Sequence, residues 1–182
     1  MILDDEKIKS TLRETSKDDD GNILIDDLQE VYNFDIVTEI IAGVYRNKKP
    51  LCSCDALFIK NKDEIFLIEF KNARKSRVPK KQLCEKAFDS IMTLQVAFFP
   101  NFSIEDLRKK VNLIFVYNNE GVAEKELESP YFDKIKSKFA QISNYNSTIL
   151  FGLDKYKGIF YKNIMTVEKQ IFLSKTYDLV FK

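Results

Sequence analysis

Asp55 and the triplet Glu69-Phe70-Lys71 combine residue types with a spacing that could do chemistry. They lie in residues 51–72, where two runs rich in β-branched and aromatic residues are separated by Lys60, Asn61, Lys62 and Asp63. That polar break is too short for a helical crossover, so the runs read as an antiparallel hairpin. A turn centred on Lys62 sets Lys60 opposite Glu64 and Asp55 opposite Glu69. Directly opposed residues have Cβ atoms about 5 Å apart, where two carboxylates repel unless a proton or a cation lies between them. A divalent ion would remove the conflict.

The elements around the hairpin have to present these groups together. Side chains alternate along a strand, so Ile65, Leu67, Glu69 and Lys71 share one face while Phe66, Ile68 and Phe70 share the other. A strand apolar on one face and on half of the other belongs inside a covered sheet. Glu69 and Lys71 mark where it emerges from cover, and the site is expected at that end.

An aspartate followed, after a turn, by Glu-x-Lys resembles the signature of the PD-(D/E)XK nuclease superfamily, with Asp55 and Glu69-Phe70-Lys71 in the signature positions and Cys54 where its leading proline would stand. The resemblance implies an α/β fold of the restriction-endonuclease-like kind, a mixed central sheet flanked by helices on both faces. It implies that Asp55 and Glu69 hold Mg²⁺ (or Mn²⁺) together with the backbone carbonyl of Phe70, and that Lys71 positions or activates the attacking water. The helix before the hairpin would donate a further acid to the metal, with Glu39 the candidate and Glu30 the reserve. The helix after it would add polar residues, Lys86 ahead of Gln82. The implied reaction is phosphodiester hydrolysis in nucleic acid, DNA before RNA. The chemistry accounts for these residue types on its own terms: Mg²⁺ takes one or two carboxylates plus waters and phosphate oxygens. It polarises the phosphodiester while a nearby ammonium offsets charge developing on phosphorus.

Directly after Lys71, the residues Arg74, Lys75, Arg77, Lys80 and Lys81 cluster with no acid among them, followed by Gln82. At the mouth of the expected site they would grip phosphates. Other readings of the same residues stay open. The acids could form an ordinary charged hairpin end with Lys71 as counter-ion, or the fold could serve as a nucleic-acid- or partner-binding module without catalysis. Residues 17–22 partly match a calcium loop, but its first and last ligand positions would be Ser16 and Asp27. A solvated acidic turn leading into a helix is the better reading.

Composition narrows the remaining chemistry. The chain has 182 residues, 45% of them hydrophobic, enough for one domain with a core. Its net charge of +1 gives no global pull towards polyanions. It contains no histidine, which excludes Ser-His-Asp and Cys-His catalysis and histidine-ligated zinc. Cys52, Cys54 and Cys84 match neither a disulfide set nor a zinc spacing and read as buried residues in a reducing cytoplasm. No membrane-spanning run or secretory pattern is present. A homodimer or protein partner is a further expectation, because so short a chain has little room for a separate target-reading domain.

Periodicity predicts a single domain over 1–182 with a helical appendage at about 1–20. A helix is expected over 26–45 and another over 78–98, with Pro79 in its first turn. A helical turn over 103–110 precedes a buried strand over 111–117 beside the hairpin. A further helix should begin at Ser129-Pro130, and short strands are expected over 148–153, 158–162 and 165–172.

Overall fold

In the computed structural model, which describes residues 5–46, 49–119 and 149–182, the alternation along the second hairpin strand divides the core in two. Ile65 and Leu67 pack in one apolar cluster; Phe66, Ile68 and Phe70 pack in another on the opposite face. The strands are β1 (Lys9–Thr11), β2 (Glu30–Asn33), β3 (Ala56–Asn61), β4 (Glu64–Lys71), β5 (Val111–Tyr117) and β6 (Asn163–Glu168). They form one six-stranded sheet in sequential order. Pairing is antiparallel from β1 to β4 and parallel from β4 through β5 to β6.

Helices cover both faces of this mixed α/β sheet. On one face lie α3 (Phe34–Val44) and α4 (Lys80–Phe98), which contribute Val37, Ile41, Leu83, Ala87, Ile91 and Leu94 to the first cluster. On the other lie α2 (Leu12–Thr15) and a C-terminal helical stretch from Lys169 to Phe181, contributing Leu12, Phe172 and Val180. Among the described residues no helix is long and apolar enough to cross a membrane.

The expected register holds along the hairpin, with Ala56 opposite Ile68 and Leu57 opposite Leu67. Leu67 and Ile68 are fully buried on opposite faces, worth about 1.5–3 kcal/mol each. A one-residue slip would exchange the faces and drive Glu69 into an apolar layer, so packing enforces the register that sets the site. At the turn the expectation is corrected. Asn61, not Lys60, pairs with Glu64, across a register shift between Ile59 and Asn61. The Asn61 side chain accepts the Asp63 backbone N–H at 2.9 Å, and this Asx turn tightens the loop to Lys62-Asp63.

Other boundaries also differ. Residues 5–15 are not one helix, because β1 interrupts α1 (Asp5–Ile8) and α2 and forms the edge of the sheet. Ile8 and Leu12 are fully buried, so this segment is built into the core rather than appended. The helix expected over 26–45 begins only at Phe34, since residues 30–33 pair with both β1 and β3. Asn33 caps α3 by accepting the Ile36 N–H at 3.2 Å, and Leu28, inside the range expected to be helical, is 74% exposed. Helix α4 and strand β5 fall where periodicity puts them, with α5 (Ile104–Leu107) between them. The helix expected from Ser129 lies outside the described residues.

Residues 149–153 carry a left-handed turn at Phe151 and Gly152 in place of a strand, and 158–162 contribute a single bridge between Lys157 and Tyr161. The last expected strand ends at Glu168, where pairing with β5 stops and helix begins.

Candidate active site

The side chain of Asp55 is positioned by main-chain bonds on both sides. Its N–H donates to the Ile68 carbonyl and its carbonyl accepts from Phe34, each at 3.1 Å, tying the start of β3 to β4 and to the first residue of α3. Asp55 Oδ2 accepts the Phe70 N–H at 2.6 Å. The approach to β3 is fastened to α4, because Cys52 N–H donates to Asp89 Oδ2 at 3.1 Å and Cys54 N–H to Ser90 Oγ at 2.8 Å. Sheet and helix therefore converge on the same residues.

Between them sits Lys86. Its Nζ donates to Asp55 Oδ1 at 3.1 Å and to both Glu69 oxygens at 2.8 Å. The cation demanded by two adjacent carboxylates is supplied by the protein itself. The side chains of Lys86, Asp55 and Glu69 are 17%, 16% and 3% exposed. Burial, followed by the Asp55 charge, pushes the Glu69 carboxyl well above the usual carboxylate range. Burial likewise raises Asp55, against the lowering effect of Lys86 and the Phe70 N–H. Burial works against the Lys86 ammonium, but Glu69 and Asp55 outweigh it and hold the group charged.

These groups line a cavity of about 340 Å³ at the end of β4, where Lys71 and Gln82 also line its wall. Its lining holds six carboxylates against three lysines, an electronegative balance that attracts cations. Three of the acids, Glu14, Asp18 and Asp19, come from the N-terminal segment. Hydrogen bonds from the Asn72 and Asn22 side chains hold the Asp18 carboxyl below its usual range. Asn72 Nδ2 donates to Asp18 at 3.0 Å and Asn118 Nδ2 to Asn72 at 2.8 Å, joining the acidic turn to the ends of β4 and β5. That turn leads into β2, not into the helix expected after it.

The structure thus brings together Asp55, Glu69, Lys71, Lys86 and Gln82. It does not bring in Glu39, which is exposed on α3, or Glu30, exposed on β2; neither lines the cavity. Asp35, one turn earlier on α3, does line it, accepts a hydrogen bond from the Ser53 hydroxyl, and raises the Asp55 pKa by its charge. Sequence reasoning passed over Asp35 because it started the helix eight residues too early; the Asn33 cap would have placed it in the first turn. Arg74, Lys75, Arg77, Lys80 and Lys81 are exposed in a 3₁₀ turn and the first turn of α4, outside the cavity wall. A second cavity of about 320 Å³ lies at the opposite end of the parallel strands, beside Glu64, Asn112 and Asn163, and has no such carboxylate pair.

No family model, curated protein or solved structure matches this chain. The chemistry of the site is therefore the guide to its use. Among the described residues no group of three or more metal-ligating side chains gathers. The donor set nevertheless fits a hard divalent ion, because Asp55 and Glu69 already share one cationic partner within 3.1 Å and two carboxylates suffice for Mg²⁺.

Proposed function

We propose that the protein is a metal-dependent nuclease of PD-(D/E)XK type on a restriction-endonuclease-like fold, hydrolysing phosphodiester bonds of nucleic acid, DNA before RNA. The observation that carries this reading is the convergence of Asp55 and Glu69 on one cation at the end of β4, inside an electronegative cavity. The antiparallel β3–β4 hairpin followed by a helical connection to parallel β5 supports the fold assignment. Asp55 and Glu69 hold Mg²⁺ or Mn²⁺, aided by the Phe70 carbonyl; when bound, the ion polarises the phosphodiester and acidifies its water. Asp55 is oriented for this by the Phe70 N–H, and Lys71 orients the attacking water. The exposed cations from Arg74 to Lys81 steer and hold the phosphate backbone. A homodimer or a protein partner supplies target selection, and three free thiols support a reducing, cytoplasmic setting.

Lys86 favours a second reading. Because its ammonium already pairs with both carboxylates, the same fold could bind nucleic acid or a partner without cutting. Labelled single- and double-stranded DNA and RNA, incubated with Mg²⁺, Mn²⁺ or EDTA, separate the two. Metal-dependent cleavage lost in Asp55→Ala and Lys71→Ala supports the nuclease. Binding that survives Asp55→Ala, with no cleavage by any form, supports the binding module.

A further inference from the structure

The Lys86 ammonium has three protons to donate, and Asp55 Oδ1, Glu69 Oε1 and Glu69 Oε2 accept all three. It occupies the place where Asp55 and Glu69 would hold a divalent ion. Two cations cannot share that point, since unit charges a few ångströms apart in a poorly solvated site repel strongly. The lysine can leave, however: it has a flexible four-carbon stem, it arises from one wall of the 340 Å³ cavity, and no other carboxylate holds it among the contacts of the described residues. The acids stay where they are when it does. Asp55 is fixed by Phe70 N–H and by its own main-chain bonds, and Glu69 belongs to a central strand.

We propose that Lys86 is a resident counter-cation that the divalent ion displaces, so that metal binding and withdrawal of Lys86 into the cavity form a single exchange. This rests on the nuclease reading and adds regulation to its site. The metal-free protein keeps the ammonium between the two carboxylates in most molecules, so it carries no bare pair of buried acids. On exchange the ammonium moves into the space a phosphate would occupy, so the ion that completes the site also places a positive charge beside the substrate. Apparent metal affinity is then lowered by the fraction of molecules in which Lys86 has withdrawn.

The test is calorimetric titration of the full chain with Mg²⁺ and Mn²⁺, wild type against Lys86→Met, together with amine labelling of wild type read by mass spectrometry. If Lys86 is withdrawn in about a tenth of molecules, Lys86→Met binds metal about tenfold more tightly. In wild type, saturating metal raises labelling of Lys86 severalfold while that of fully exposed Lys81 stays level. The labelling needs no variant, so it decides the matter even where Lys86→Met folds poorly. Metal bound by wild type with Lys86 labelling unchanged overturns the exchange and leaves the nuclease reading standing. Absence of divalent binding in both proteins, with no cleavage by wild type, overturns both.

Discussion

The Cys54 N–H donates to the Ser90 hydroxyl at 2.8 Å, so the helix that supplies Lys86 also fastens the strand that supplies Asp55. Both ends of this bond are fully buried. Ser90→Ala leaves a buried N–H without its acceptor, at a cost of about 1–3 kcal/mol. For a chain of this size each kcal/mol lowers the melting temperature by about 2–4 °C. Thermal denaturation should show that loss, and metal titration should show weaker binding because Asp55 is no longer held against α4.

Asp35 and Glu39 lie one turn apart on α3 but face different surroundings, Asp35 on the cavity wall and Glu39 in solvent. Groups that support metal ligands commonly change affinity by tenfold or more when removed. Asp35→Asn should therefore raise the Mg²⁺ concentration needed for half-maximal cleavage by roughly tenfold. Glu39→Gln should leave it unchanged. An Asp35→Asn protein that needs no more Mg²⁺ than wild type would remove Asp35 from the metal site.

The exposed cations at Arg74, Lys75 and Arg77 would act through phosphates alone. Each contact contributes about 0.9 to the slope of log affinity against log salt for duplex DNA. Replacing all three by alanine should flatten that slope by up to about 2.7. Cleavage at saturating substrate should be retained, as measured by fluorescence anisotropy and single-turnover assays run side by side.

Tyr161 is fully buried and donates to the Ala87 carbonyl of α4, and burial raises its pKa well above the usual tyrosine value. The folded state therefore keeps this proton at a pH where the unfolded chain, with a pKa of about 10, has lost it. Stability from Tyr161 is complete below pH about 10 and falls as pH rises further. Tyr161→Phe should lose about 0.5–1.5 kcal/mol at neutral pH and show a shallower alkaline decline in urea melts between neutrality and alkaline pH. Part of the decline persists, because burial also raises Tyr117.

Much of the site was legible because the hairpin is short-range. Alternation of apolar residues over eight positions of β4 sorts two core layers, and only one register satisfies both, so the approach of Asp55 to Glu69 follows from local pattern. The 3.6-residue period likewise marks α4, whose polar row carries Gln82, Lys86 and Ser90 to one side. Residues 28–36 were misread because Leu28, Val31, Tyr32 and Ile36 fit a helical period equally well. Only pairing of β2 with residues 19 or more positions away in sequence makes Glu30–Asn33 extended.

Sequence by itself determined that two carboxylates would meet at the end of a buried strand, with cations close by, and that histidine chemistry was excluded. Tertiary structure alone decided which cation stands between them, which acid of α3 reaches the cavity, and that the N-terminal acidic turn forms its rim. The physical reason is range. Strand periodicity acts through neighbours two residues apart, whereas the contact of Lys86 with Asp55 depends on how α4 settles against the sheet across 31 residues of chain.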